Sequence, residues 1–371
     1  MYVLKNTDWV LFFTATLITT AGLISMAGFG ADAPFAERQT LWFGLGIVAF
    51  FFISSFDLRF LRKTVLITSI YAIAVSLLVL LFFFGSVFGG AQGWFNFGFF
   101  ALQPADPAKL ALILVLAKYF TRRHVEIARM QHVCISGVYA GIIMLLLFFQ
   151  PDFGSAIIVA GIWLGMVLVA GIPARYIVGL AGAALVAGLL LWNFGFADYQ
   201  KARVMTFVHP QSDIRGSGYN AFQSMIAVGS GGLFGQGIGY GTQSRLQFLP
   251  EHETDFIFAS FAEEWGFVGV VILLMLFATL VYRLVVNAQR GETNFESLTI
   301  LGVAVLFLVH VVVHVGGNIG LLPVTGTTLP LMSYGGSHLL VEYTLLGIVN
   351  AMRAYARPVR IDTTRELVGL R

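Results

Sequence analysis

This chain of 371 residues has little charge and almost no cysteine. Asp, Glu, Lys and Arg make up 11% of it, against roughly a quarter in a soluble domain, which excludes an ordinary water-soluble fold. The single Cys134 excludes an intrachain disulfide, and its place near the start of an apolar run gives it a packing role. A net charge of +3 is too weak for a nucleic-acid-binding surface, so no nucleic acid is expected as a partner. The glycine-rich stretch from Gly229 to Gly241 lacks the Gly-Lys-Ser/Thr that would follow a strand in a phosphate-binding loop. It is expected to be a backbone that bends closely around neighbours or a lipid. No repeat, linker or second soluble unit interrupts the chain, so residues 1–371 are expected to form one transmembrane domain.

What is abundant is apolar: 58% of the residues are hydrophobic, and they come in long runs. A span needs about 20 mostly apolar residues. Ten segments qualify, at about 9–29, 39–56, 64–88, 105–120, 132–149, 154–171, 174–195, 257–286, 297–319 and 333–355. The fold class is therefore an all-α polytopic membrane protein with about ten transmembrane helices. The first run has no small-residue cleavage site and is expected to be a retained anchor. The positive-inside rule places both termini in the cytoplasm. Lys5, Arg59, Arg62, Lys63, Lys118, Arg122, Arg123, Arg129, Arg175, Arg283, Arg290, Arg353 and the cations of the C-terminal tail then lie inside. The opposite face keeps only Arg38, Lys201, Arg203, Arg215 and Arg245. The large loop between the seventh and eighth helices, about 196–255, falls on that outer face.

Ionisable groups inside spans are costly and mark candidate sites. Asp106 and Lys109 share a helix face at i, i+3, so a self-satisfied ion pair and a functional pair are both open. Glu263 follows Asp255 by eight residues, close to one helix face, and Glu264 is turned about 100° away; one of them is expected to be buried. His310, His314 and Asn318 form an i, i+4, i+8 stripe, read as a hydrogen-bond seam in preference to a metal or proton relay. The two histidines have no third ligand at a zinc spacing. Glu342 has no partner that the sequence can name. Asp152, beside Pro151 in a tight turn, either caps the next helix or faces a cavity.

One segment concentrates chemistry. Leu249–Phe258 reads LPEHETDFIF, where Glu251, Glu253, Asp255 and His252 crowd the edge of an apolar helix. Carboxylates so placed can have tuned pKa values, although a solvated helix start with Asp at its positive end is the plain alternative.

Several motifs then coincide in order: GAQGW at 90–94, QPADPAKLALIL at 103–114, QPDFGSA at 150–156, DYQKARV at 198–204, GYNAFQSMIAVGSGG at 218–232, LPEHETDFIFA at 249–259, EEWG at 263–266, and NIGLLPVTGTTLPLMSYGGS at 318–337. Together they resemble the SEDS family of RodA and FtsW, over nearly the whole chain, with the short tails and DYQKARV more similar to RodA, the elongation member. The resemblance implies a peptidoglycan glycosyltransferase of the bacterial cytoplasmic (inner) membrane, polymerising lipid II during cell elongation and shape maintenance. It implies undecaprenyl pyrophosphate as leaving group and a class B penicillin-binding protein and the cell-elongation machinery as partners. The family's essential aspartate falls on Asp255. Lipid II is α-linked and the glycan β-1,4-linked, so inversion calls for direct attack by a sugar hydroxyl, with Asp255 as its base. The substrate-binding residues implied are Asp106, Lys109, Asp152, Arg203, Gln223, Ser224, Glu251 and Ser333. Cations facing the pyrophosphate would be Lys109, Arg203, Arg215 or Arg245, or a divalent cation, Mg or Mn, on Glu251 and Asp255. The chain departs from the family pattern at Gly93, Ala105-Asp106-Pro107, Met225 and Gln236; Gly93, Met225 and Gln236 stand where cations are usual. Two other readings stay open: a flippase or transporter for lipid-linked precursors, and a catalytically weak scaffold for the penicillin-binding protein.

Overall fold

The structure is a computed structural model that describes residues 2–29, 35–88, 91–98, 100–123, 130–195, 198–208 and 217–356. Each of the ten apolar segments is a helix: α1 Trp9–Gly28, α2 Phe35–Ser54, α3 Thr64–Phe84, α4 Ala105–Arg123, α5 Met130–Phe149, α6 Phe153–Val169, α7 Ala174–Leu190, α8 Ile257–Ala288, α9 Asn294–Asn318 and α10 Gly336–Ala354. Six of them (α1, α2, α3, α5, α8 and α9) are long and apolar enough by length and composition to cross a membrane.

The exceptions have physical causes. Helix α4 carries Asp106, Lys109, Lys118, Arg122 and Arg123. It packs against α3, α5, α6, α9 and α10, and every residue from Ala111 to Ala117 is buried. Asp106 and Lys109 therefore face protein, where partners can be built. Helix α3 does the opposite and leaves Val65, Ile73, Phe83 and Phe84 exposed, a face for lipid. Between α3 and α4 the chain forms a small antiparallel sheet that the apolar pattern does not announce. Its strands are β1 Ser86–Phe88, β2 Ala91–Asn96 and β3 Ala101–Leu102, in the order β1-β2-β3. Gly93 lies in β2. The long 196–255 region holds helices Asp198–Val208, Ser217–Ser230 and Thr242–Arg245.

Helix starts show why the elements begin where they do. Asp8 caps α1 by accepting from the Leu11 amide at 3.2 Å, and Asp152 caps α6 by accepting from the Ser155 amide at 2.9 Å. Each satisfies an N–H that the helix cannot. Asp8 also gathers one end of the bundle. Its carboxylate accepts from Arg283 Nη2 and Asn287 Nδ2, both at 2.8 Å, and its amide donates to Asn350. At the same end Arg62 pairs with Glu292 at 2.7 Å and with Glu296, Lys118 donates to the Arg62 carbonyl, and Arg353 donates to the Asn6 carbonyl. These cations are among those assigned above to the cytoplasmic side, whereas Asp255 and Asn318 sit at the opposite ends of α8 and α9.

Burial alone would raise the pKa of Asp8. The bonds from Arg283, Asn287 and the Leu11 amide, with the Arg283 charge, outweigh it and hold Asp8 below the usual carboxylate range. A depressed folded-state pKa stabilises above the unfolded value, near 3.9, and the contribution fades as pH falls through the folded value. Asp8→Asn is therefore expected to lower stability by about 2 kcal/mol at pH 7. Thermal melts against pH should show the gap to wild type closing in acid, once Asp8 itself is protonated.

Candidate active site

The Asp255 segment is held from three sides. Glu251, with φ +50°, turns the chain so that its carbonyl accepts from the amides of Thr254 and Phe256. Asn318, the last residue of α9, donates through Nδ2 to the Asp255 carbonyl at 3.0 Å and accepts through Oδ1 from the Ala259 amide at 3.2 Å. Phe256, the N-cap of α8, offers no capping side chain, so an amide from another helix caps α8 in its place. Ser224, in helix Ser217–Ser230, donates to the Asn318 carbonyl at 2.9 Å. Ser333 donates to the Thr254 carbonyl at 2.8 Å, and the Tyr334 amide donates to the Glu253 carbonyl at 2.8 Å. Asp255 is thus a half-buried side chain on a backbone anchored on both flanks.

The anchors continue into the bundle as one polar network. His314 Nδ1 meets the Thr327 carbonyl at 2.7 Å, and His310 Nδ1 meets the Thr328 carbonyl at 3.3 Å. The stripe on α9 is a hydrogen-bond seam, but its partner is the connecting segment 323–333 and not a second helix. Lys109 and Asp106 pair at 3.0 Å, each 4% exposed. They are not self-contained: Asp106 Oδ2 reaches His338 Nδ1 at 3.0 Å, and Lys109 Nζ lies 3.5 Å from His310 Nε2. His338 Nε2 lies 3.0 Å from Glu342 Oε1, and Glu342 Oε2 accepts from the Leu331 amide at 2.7 Å. The partners of Glu342, which linear sequence could not name, are therefore one helical turn away on α10 and across the Leu331 turn. Lys109 is committed inside this network.

Both glutamates of EEWG are buried, where one was expected. Glu263 accepts from Thr242 Oγ1 at 3.1 Å and from the Gln243 amide at 2.9 Å, capping helix Thr242–Arg245. Glu264 Oε1 accepts from the Gly239 amide at 3.0 Å. Backbone carbonyls of both receive the amides of Gln236 and Gly237. The glycine-rich loop is thereby stitched to the first turns of α8. At Gly266, φ is +66° and an added Cβ would lie 2.2 Å from the Gly235 nitrogen, so only glycine fits there.

The remaining candidates scatter. Asp152 accepts from Gln103 Nε2 at 3.4 Å besides capping α6. Gln223 Nε2 donates to Tyr219 Oη at 3.0 Å. The Met225 sulfur packs on Gly320, and Gln236 is exposed. Arg203 lies on helix Asp198–Val208 with its side chain outside the description, and Arg215 lies outside the described residues. Arg245 lines a groove of about 680 Å³ with Ile24, Ala27, Gly28, Ile238, Gly239 and Tyr240. Among the described residues no three His, Cys, Asp or Glu side chains come together to hold a metal. Glu251 and Asp255 would bring at most two carboxylates to a divalent cation, and no chemical step is routed through one.

Asp255 opens on a narrow cleft of about 10 Å³, lined also by Val313, His314, Gly317, Asn318, Val324, Thr325, Gly326 and Thr327. That is room for about one water or one hydroxyl, so the cleft would admit a single hydroxyl of a substrate and not a sugar ring.

Residues 4–358 match the FtsW/RodA/SpoVE family of cell cycle proteins. The chain is 37% identical to the peptidoglycan glycosyltransferase MrdB of Escherichia coli, covering 95% of this chain and 97% of that one. It is 35% identical to stage V sporulation protein E of Bacillus subtilis, covering 94% and 98%. Among solved structures, a chain of a peptidoglycan synthase complex that coordinates polymerization and crosslinking superposes with a TM-score of 0.82 at 32% identity, covering 95% and 99%. The rod shape determining protein RodA of Thermus thermophilus superposes with a TM-score of 0.71 at 31% identity, covering 95% and 98%.

Proposed function

Because this chain belongs to the FtsW/RodA/SpoVE (SEDS) family and is a multi-pass membrane peptidoglycan glycosyltransferase, we propose that it polymerises lipid II with Asp255 as general base. The observation that carries the proposal is the placement of Asp255: a carboxylate on a backbone clamped by Asn318, Ser333 and Glu251, at the wall of a cleft with room for about one hydroxyl. Clamping matters because a base must stand within about 3 Å of the hydroxyl it deprotonates. Asp255 takes the proton as the sugar oxygen attacks the anomeric carbon. The bond to the pyrophosphate oxygen breaks on the opposite face, which inverts the centre. Undecaprenyl pyrophosphate leaves as an anion, so no protonated acid is required, unlike glycoside hydrolysis. The groove bearing Arg245 offers a cation beside apolar walls, the combination a lipid phosphate needs.

We further propose a RodA-type role in cell elongation, in the bacterial cytoplasmic membrane, with the Asp255 end facing outward and a class B penicillin-binding protein as partner. The likeness to a chain of a peptidoglycan synthase complex supports the last point. The test is incubation of the purified protein and partner with lipid II, followed by glycan-strand analysis. Polymer with β-linked product supports the reading. Transbilayer movement of lipid II in liposomes without any polymer would replace it with the flippase reading.

A further inference from the structure

The mechanism above uses Asp255 and leaves its neighbour across the cleft without a task. His314 is 2% exposed and lines the same cleft. Its Nδ1 lies 2.7 Å from the Thr327 carbonyl oxygen, which can only accept. That contact requires the proton on Nδ1, so in the neutral ring Nε2 carries a bare lone pair. Among the described residues Nε2 has no hydrogen-bond partner. A buried acceptor left unsatisfied costs about 1–3 kcal/mol. The cost is recovered when a donor reaches Nε2.

The other lining residues narrow the donor's class. Thr325 and Thr327 bring hydroxyls 3.4 Å apart, Gly317 and Gly326 present backbone only, and Val313 and Val324 are short and apolar. Asp255 and His314 thus line one cleft with room for about a single hydroxyl. Resting on the reading of Asp255 as the base, we propose that His314 Nε2 accepts a hydrogen bond from a hydroxyl of the attacking sugar and orients that sugar for deprotonation by Asp255. Asp255 removes one proton; His314 holds the ring so that the oxygen faces the anomeric carbon. Orientation of this kind acts on the rate of the bound complex more than on capture of the lipid.

The test compares His314→Leu and His314→Gln in the full-length protein with its partner, using lipid II polymerisation. Leucine removes both nitrogens, whereas the glutamine Oε1 can reach the place of Nε2. The leucine variant should lose at least about tenfold in kcat with KM changed less than about threefold, and glutamine should stay within about threefold of wild type. Wild-type activity in leucine overturns the proposal, as does an equal loss in both variants with unchanged melting. Recovery of the leucine variant by raised Mg or Mn would also overturn it, in favour of a cation ligand.

Should leucine not fold, a second apolar variant decides. There the loss of kcat in His314→Phe, a ring of similar volume with no acceptor nitrogen, should match that expected of leucine with KM changed less than about threefold, and wild-type activity in phenylalanine overturns the proposal. Asp255→Asn, run in parallel, separates the two ideas: full activity there removes the base assignment, while the His314 result stands on its own ratio of leucine to glutamine.

Discussion

Asp255→Ala is expected to reduce lipid II polymerisation by at least about 100-fold, the loss typical of removing a general base, while leaving the fold intact. Asn318, Ser333 and Glu251 hold this segment through backbone groups: the Asp255 and Thr254 carbonyls and the Phe256 amide. The alanine variant keeps all of these. Its melting temperature should therefore stay close to wild type, and binding of lipid II should be little changed. Asp255→Asn should be equally inactive, because an amide cannot take the proton. Steady-state kinetics with a thermal melt checks both halves. Full activity in either variant would remove Asp255 as the base, and a collapsed melt would make its role one of folding.

The second large effect belongs to the buried network. Asp106→Leu leaves Lys109 without its carboxylate and His338 with Glu342 and the Thr328 hydroxyl. Removing one member of a buried ion pair costs about 3–5 kcal/mol, because the other charge stays desolvated. The variant should yield far less folded protein in detergent and melt at a clearly lower temperature. The double variant Asp106→Leu with Lys109→Met removes both charges of that pair. It should recover part of the loss, giving a coupling energy between the sites. Additive losses would mean that the pair does not act as a unit. Activity should follow stability here, since the network reaches Asp255 only indirectly, through the 323–333 segment and through α9 to Asn318.

Much of this architecture was legible in linear order because the bilayer imposes a simple rule. Each long apolar run had to be a helix, since unpaired backbone cannot face hydrocarbon. The exceptions trace to partners the sequence cannot show. Helix α4 tolerates Asp106 and Lys109 because five neighbouring helices enclose it and His338 and His310 meet the two charges. The β1–β2–β3 hairpin is too short to leave a periodic signal. The capping of α8 by Asn318 joins residues 59 positions apart, which no local capping pattern predicts.

By itself the sequence determined the membrane class, the ten helices and the family motifs, and the resemblance those motifs carry pointed to Asp255. These rest on local hydrophobicity and on contiguous residue order. The tertiary structure alone decided that His314 shares a cleft with Asp255, that Glu342 closes a network through His338, and that Glu263 and Glu264 fasten the glycine-rich loop. Those contacts depend on how helices distant in sequence pack side by side. Desolvation forces each buried polar atom to find a partner, and only the packed bundle fixes which partner that is.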